Sequence, residues 1–261
     1  MVATLPSKFL EPRRGYRQVD QRAWTCLQRC REKLGLGDLP LPIPVDQWIE
    51  HPLGFGFGVT DLSHLGPDVL GAAYVEDREI AIDPKVLTHE GRFRFTCAHE
   101  LGHMILHRNV RSVFQESADL TAFESVDRYE RQADRFAAAF LMPIPLLERE
   151  LLQIADENGL KRADVVITLM KPTLESEWLW RKRLLHRMTK RFDVSLSAVV
   201  YRFSDIQPRV ADSMPLMPVA LAEALLRPAG DPNKFDSVWV ENGVPVRRDL
   251  FSSAGGAVAK S

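Results

Sequence analysis

The sequence predicts an α+β fold that is predominantly α-helical, and three observations point there. Between 54 and 83 the runs GFGFGVTDLS, GAAYVED and REIAID read as short strands separated by turn residues, enough for a small sheet. From Thr88 to about 204 the chain reads mostly as helices bounded by caps and prolines. Beyond 206 the character changes, with prolines at 208, 215, 218, 228 and 232 and little helical pattern.

Taken in order, residues 1–15 are expected as a loose arm containing proline and arginine, followed by a helix over about 16–34 that ends at the glycines of KLGLGD. The prolines of LPLPIP delay the next helix to near Val45. After the three strands, THEGRFRFTCAHELGHMILHR forms a helix with Thr88 as its N-cap. A polar link over about 108–122 leads to the helix SVDRYERQADRFAAAFLMP, stopped by Pro143. Helices are expected at 145–156 and 163–170, then two more over 175–204 joined by FDVS, with Ser195 capping the second. A short helix fits 217–226, a hairpin turns at Asn242-Gly243, and SSAGGAVAKS is expected as a disordered tail. The expected domains are 1–40, arm and first helix; 41–160, the sheet and the histidine-bearing helix; 161–206, a helical pair; and 207–261, a proline-rich extension.

Bulk properties narrow the function classes. A net charge of −1 over 261 residues excludes nucleic-acid binding by overall electrostatics, leaving only a local basic patch. Three cysteines make no disulfide framework and favour a reducing compartment. No apolar run approaches membrane-spanning length and the N-terminus lacks an apolar signal core, so a cytoplasmic protein without membrane association is expected.

The chemistry concentrates in CAHELGHMILH, residues 97–107. His99 and His103 are i and i+4, one turn apart on one helix face, the spacing with which two imidazoles bind a single metal ion. Thr96, Glu100 and His107 share that arc, while Cys97, Leu101, Met104 and Ile105 lie on another side, so Cys97 reads as core. Glu100, beside the first ligand, is placed to take a proton from water and pass it to a leaving amine. Gly102 removes a side chain next to the metal and lets another segment approach. His107 lies a turn further on and is expected to support rather than bind the ion.

A catalytic site needs a third ligand. The longer motif HExxHxxGxxH would require glycine at 106 and histidine at 109, where Leu106 and Asn109 stand. The candidates are therefore Glu116, Glu124 and Glu130. Glu130 is best placed, because it shares an arc with Ala133, Asp134, Ala137 and Leu141 while Arg128, Arg131 and Arg135 occupy another. A carboxylate on a small, apolar helix face needs a partner. Asp134, one turn on, could hydrogen-bond the far nitrogen of a ligand histidine. The competing reading is a solvated Glu130 paired with Arg131 or Arg135.

The run REIAIDP, GRFRFTCAHELGHMILH and YERQADRFAAAFLMP resembles the ImmA/IrrE family of zinc metallopeptidases over about residues 42–205. The resemblance implies a zinc-peptidase core with His99, His103 and Glu130 as ligands and Glu100 as the catalytic carboxylate. It also implies a substrate: a helix-turn-helix (XRE-type) repressor whose cleavage relieves repression in stress response or mobile-element control. Zn2+ is the expected ion, with Mn2+ the alternative for a His/His/Glu site. The other class of function is a zinc-stabilised regulator that binds a repressor or DNA without cutting. GAAYVED is expected as the edge strand that holds extended substrate, and Tyr74, Tyr129 and Tyr201 are candidates for stabilising the oxyanion.

The one concentrated basic stretch holds Arg181, Arg183, Arg187, Lys190 and Arg191, in a segment that resembles a helix-turn-helix. Three readings stand open: contact with DNA phosphates, docking onto a repressor, or the solvated face of an amphipathic helix.

Overall fold

The polar arc of the histidine helix is not a solvent face, and the fold is arranged to cover it. The computed structural model describes residues 7–88, 90–109, 113–117, 128–209, 215–227, 238–241 and 244–247. At its centre α3 (Glu90–Leu106) packs between a small sheet on one side and α4 (Arg128–Leu141) on the other. The α+β, mainly helical class is as the sequence predicts.

The sheet comprises β2 (Gly56–Val59), β3 (Val69–Tyr74), β4 (Glu79–Ile82) and β5 (Val113–Ser117), in the order β2-β4-β3-β5. β2 runs parallel to β4, and β3 is antiparallel to both β4 and β5. Two expectations are corrected here. GAAYVED is not an edge: β3 is paired on both sides and buried along its length except at Tyr74, which is why VLGAAY is a continuous apolar run. The edge beside it is β5, which arises from the stretch expected as a polar link; five residues without clean alternation left no strand signal. Asp83 pins the end of β4, its buried carboxylate accepting from the N–H groups of Leu62 and Lys85, both at 2.9 Å. Burial raises the Asp83 pKa, but these two hydrogen bonds outweigh it and hold the group below its ordinary value.

The described part of the N-terminal segment, from residue 7, is also not a loose arm. β1 (Leu10–Pro12) pairs antiparallel with β6 (Ile206–Pro208). The buried carboxylate of Glu148, on α5 (Ile144–Glu157), accepts from the N–H groups of Lys8 and Phe9 at 2.8 Å and of Leu10 at 2.6 Å. A glutamate 138 positions away is invisible to local pattern. α1 (Arg17–Lys33) follows and lies along α4; α2 (Val45–Glu50) packs on α3.

Beyond α5 come α6 (Arg162–Leu169) and a continuous helical run made of α7 (Leu174–Leu179), one wide π turn over Trp180–Leu184, and α8 (Leu185–Phe192). Asp193, in the left-handed region at φ 51°, reverses the chain into α9 (Leu196–Ser204), where Ser195 Oγ accepts from the Ala198 N–H at 3.1 Å, the expected cap. The Thr88 hydroxyl donates to the Lys85 carbonyl in a short 3-10 turn, Pro84–Thr88, and α3 begins at Glu90. Arg94 anchors the front of α3, donating to the Ile43 carbonyl and lying 3.4 Å from Asp193. α10 (Val219–Leu226) and an antiparallel pair, β7 (Val238–Glu241) with β8 (Val244–Arg247), complete the described chain. The hairpin's turn, Asn242-Gly243, and the tail SSAGGAVAKS lie outside the described residues.

One buried apolar cluster draws on side chains from Leu10 to Ala222. Within it Arg202 and Asp20, both nearly inaccessible, form a two-pronged ion pair at 2.6 and 3.1 Å, and Arg202 Nε also donates to the Met142 carbonyl. Removing one partner strands the other charge in the core. Asp20→Ala is therefore expected to cost about 3–5 kcal/mol, read as a fall in the urea midpoint, whereas Asp156→Ala at an exposed pair should leave the midpoint nearly unchanged.

Candidate metal centre

The i, i+4 spacing on α3 stacks the two histidines, and their rings lie 4.8 Å apart between centroids. α4 crosses α3 closely at Gly102. A methyl group there would stand 3.1 Å from Ala133 Cα and 3.2 Å from its carbonyl oxygen. That approach carries Glu130, one turn before Ala133, to the histidines. His99 Nε2 and His103 Nε2 are 3.0 Å apart, and Glu130 Oε2 lies 3.1 Å from the first and 3.4 Å from the second. The three atoms form a compact triangle, the one group of potential metal ligands of this kind among the described residues. Its edges approximate the roughly 3.3 Å expected between ligands about 2.0–2.1 Å from a tetrahedral ion. The residues fit a metal ion. Glu130 does not pair with Arg131 or Arg135 in the way the solvated alternative required.

Outer partners hold the ligands. His99 Nδ1 lies 2.9 Å from Asp134 Oδ1, His103 Nδ1 3.0 Å from His107 Nδ1, and His107 Nε2 3.0 Å from Gln132 Oε1. With both Nε2 lone pairs committed to an ion, only one proton order satisfies these contacts. His99 Nδ1–H donates to Asp134, His103 Nδ1–H donates to His107, and His107 Nε2–H donates to Gln132. His107 thus orients His103. The ring of Phe114, on β5, stacks on His103 with centroids 4.2 Å apart, and Tyr129 meets His107 edge-on at 5.0 Å. Tyr201 lies near Asp134 on half-exposed α9 surface; burial first, then the Asp134 charge, raise its phenol pKa.

Glu100 is fully buried and lies against β3. A methyl group on Gly71 would be 2.6 Å from Glu100 Oε1 and 2.8 Å from Thr96 Cγ2, so only glycine admits the carboxylate there. Gly71 also marks the register shift between β3 and β5. Gly71, Gln132 and Phe114 all escaped the sequence reading, though an isolated glycine in an apolar strand is a recognisable sign of close approach. Glu116 lies in β5, its side chain outside the described residues, and Glu124 lies outside them altogether.

Much of the basic stretch is engaged in surface pairs. Arg187 donates to Glu157 at 2.9 Å, Arg191 to both Glu150 and Glu157, and Arg183 to Asn158 at 3.4 Å while lying over Trp178. Arg181 is half-buried and Lys190 exposed. The pairs fasten α8 to α5 and its end, which favours the packed amphipathic helix over a free phosphate-binding stripe.

Two crossing helices that converge two imidazoles and a carboxylate beneath a small sheet define a metallopeptidase-like domain. The family model for Peptidase_M78, the IrrE N-terminal-like domain, matches residues 68–204, just over half of the 261-residue chain, and the chain belongs to this family. No curated protein matches the chain. Among the described residues no helix is long and apolar enough to cross a membrane.

The cluster also sets an acid response. Burial, partly opposed by the hydrogen bond with Glu130, pulls His103 from 6.5 down to about 4. Burial raises the Glu130 carboxyl, but hydrogen bonds with His103 and His99 outweigh it and hold the group at about 2. Between pH 6.5 and about 4 the unfolded chain takes up a proton at His103 that the folded chain refuses, so stability falls as pH falls through that window. In metal-free protein the urea midpoint should decline over this range, and His103→Asn should flatten the decline.

Proposed function

We propose that this protein is a zinc-dependent endopeptidase that cleaves an XRE-type helix-turn-helix repressor and so relieves repression. The observation that carries the chemistry is the convergence of His99 Nε2, His103 Nε2 and Glu130 Oε2, with the buried Glu100 carboxylate beside the first ligand. Bound there, zinc would polarise the scissile carbonyl and ease deprotonation of the attacking water. Glu100 takes that proton and returns it to the departing amine. Asp134 and the His107–Gln132 pair hold the two imidazoles in the tautomer that ligation requires. The substrate class comes from the motif resemblance alone.

For the substrate backbone, β5 offers the suitable edge. It ends the sheet order next to β3, and its Phe114 stacks on His103, so a segment paired to its outer side would run beside the ligands. β2, at the opposite end of the sheet order, offers no such contact.

The test is cleavage of purified XRE-type repressors from the same genome. Glu100→Gln should keep stoichiometric zinc and lose turnover by about 10²–10⁴-fold. If it cleaves as fast as the parent, the mechanism is wrong; if neither cleaves yet both relieve repression, the non-proteolytic regulator is right. Gly71→Ala should also retain zinc, because it touches no ligand, while lowering kcat by displacing Glu100. Equal kcat for Gly71→Ala and parent would show that the contact with β3 does not position the carboxylate.

A further inference from the structure

One polar residue of the histidine helix has no part in holding a metal. Thr96 lies on α3 one turn before Glu100 and is 1% exposed. A helical threonine can settle its hydroxyl on the carbonyl three or four residues back. Thr96 does not, and among the described residues its Oγ1 has no hydrogen-bond partner. Burying an unbonded hydroxyl is unfavourable, and valine would fill the same shape without that cost. Packing alone therefore does not account for threonine at this position.

What Thr96 lies against is Glu100. Long side chains on a helix turn back toward its N-terminus, so the glutamate reaches over the turn that carries Thr96. The two meet at the gap left by Gly71 on β3. A methyl group there would stand 2.6 Å from Glu100 Oε1, 2.8 Å from Thr96 Cγ2 and 3.0 Å from Glu100 Cγ. The threonine thus presents its methyl to the space that the carboxylate enters. A turn of about 120° around its Cα–Cβ bond puts the hydroxyl in the methyl's place, and helical threonine divides between two such rotamers.

We propose that Thr96 is a positioning residue, whose hydroxyl donates to Glu100 Oε1 and leaves Oε2 to exchange the proton. A donor on one oxygen stabilises the ionised carboxylate and fixes its plane. The role rests on the peptidase reading of Glu100, whereas the contact can be measured without it. The contact is tested by a double-mutant cycle on the urea midpoint of the metal-free full chain, with Thr96→Val and Glu100→Ala. Thr96→Val should lower the midpoint in the parent, and should raise it or leave it unmoved once Glu100→Ala has removed the acceptor. A midpoint that moves equally in both backgrounds, or that rises in the parent, overturns the contact. For the role, Thr96→Val should lower kcat about ten-fold on a repressor that the parent cleaves, with KM and zinc content unchanged. Thr96→Ser keeps the hydroxyl and should bring kcat back to within about two-fold of the parent. A raised KM with kcat kept, or no rescue by serine, overturns the role. Coupling in the cycle without cleavage by the parent refutes the peptidase reading and leaves the contact standing.

Discussion

The centre depends on how closely two helices can cross. His99 and His103 are separated by one turn of α3, but Glu130 belongs to a different helix and reaches them only because α4 lies on Gly102. Any side chain there would meet the Ala133 backbone at 3.1–3.2 Å, tighter than ordinary van der Waals contact. The alanines of α4, Ala133 and Ala137, continue that close face. A larger residue on either side would widen the crossing and pull the carboxylate out of the ligand triangle while leaving both helices intact. Gly102 serves the position of Glu130, and the position of Glu130 makes the histidine pair a three-ligand site.

The second constraint is polar. Burying His99, Glu100, His103 and His107 in one helix face is unfavourable unless each finds a partner. The histidines find theirs on α4, in Glu130, Asp134 and Gln132, with the Phe114 ring of β5 stacked on His103, while the glycine gap at Gly71 on β3 gives Glu100 room. The apolar side of α3 carries Cys97, Leu101 and Met104 into the main core, so hydrophobic burial offsets the cost of the polar side. The core and the candidate metal centre take opposite arcs of one helix.

What the sequence made legible follows from this division. The converging group His99, His103 and Glu130 sits in periodic helical segments, where residue spacing maps directly onto geometry. The helices themselves were legible for the same reason, down to the Ser195 cap. The misses are all non-local. β5 is short and lacks alternation, so its pairing to β3 is decided by the sheet rather than by its own residues. The N-terminal arm is ordered by Glu148, far along the chain, and β3 lost its expected edge because β5 claimed that side. Gln132 was hidden between an obvious ligand and an obvious hydrogen-bond partner, its role visible only once His107 is seen to need an acceptor.

The basic residues show why charge in a sequence is a weaker guide than spacing. Arginine recurs on α4 as well as in the concentrated basic stretch, and the two runs meet different neighbours. In α8, Arg187 and Arg191 meet Glu157 and Glu150, and the charges are spent on internal packing. In α4, Arg135 lies over the Tyr16 ring with its Nε 3.6 Å from Asp205. The difference is the neighbouring helix: α5 presents glutamates, whereas the start of α1 presents glycine, glutamine and valine. The face an arginine helix packs against, more than its own charge density, decides what that charge engages.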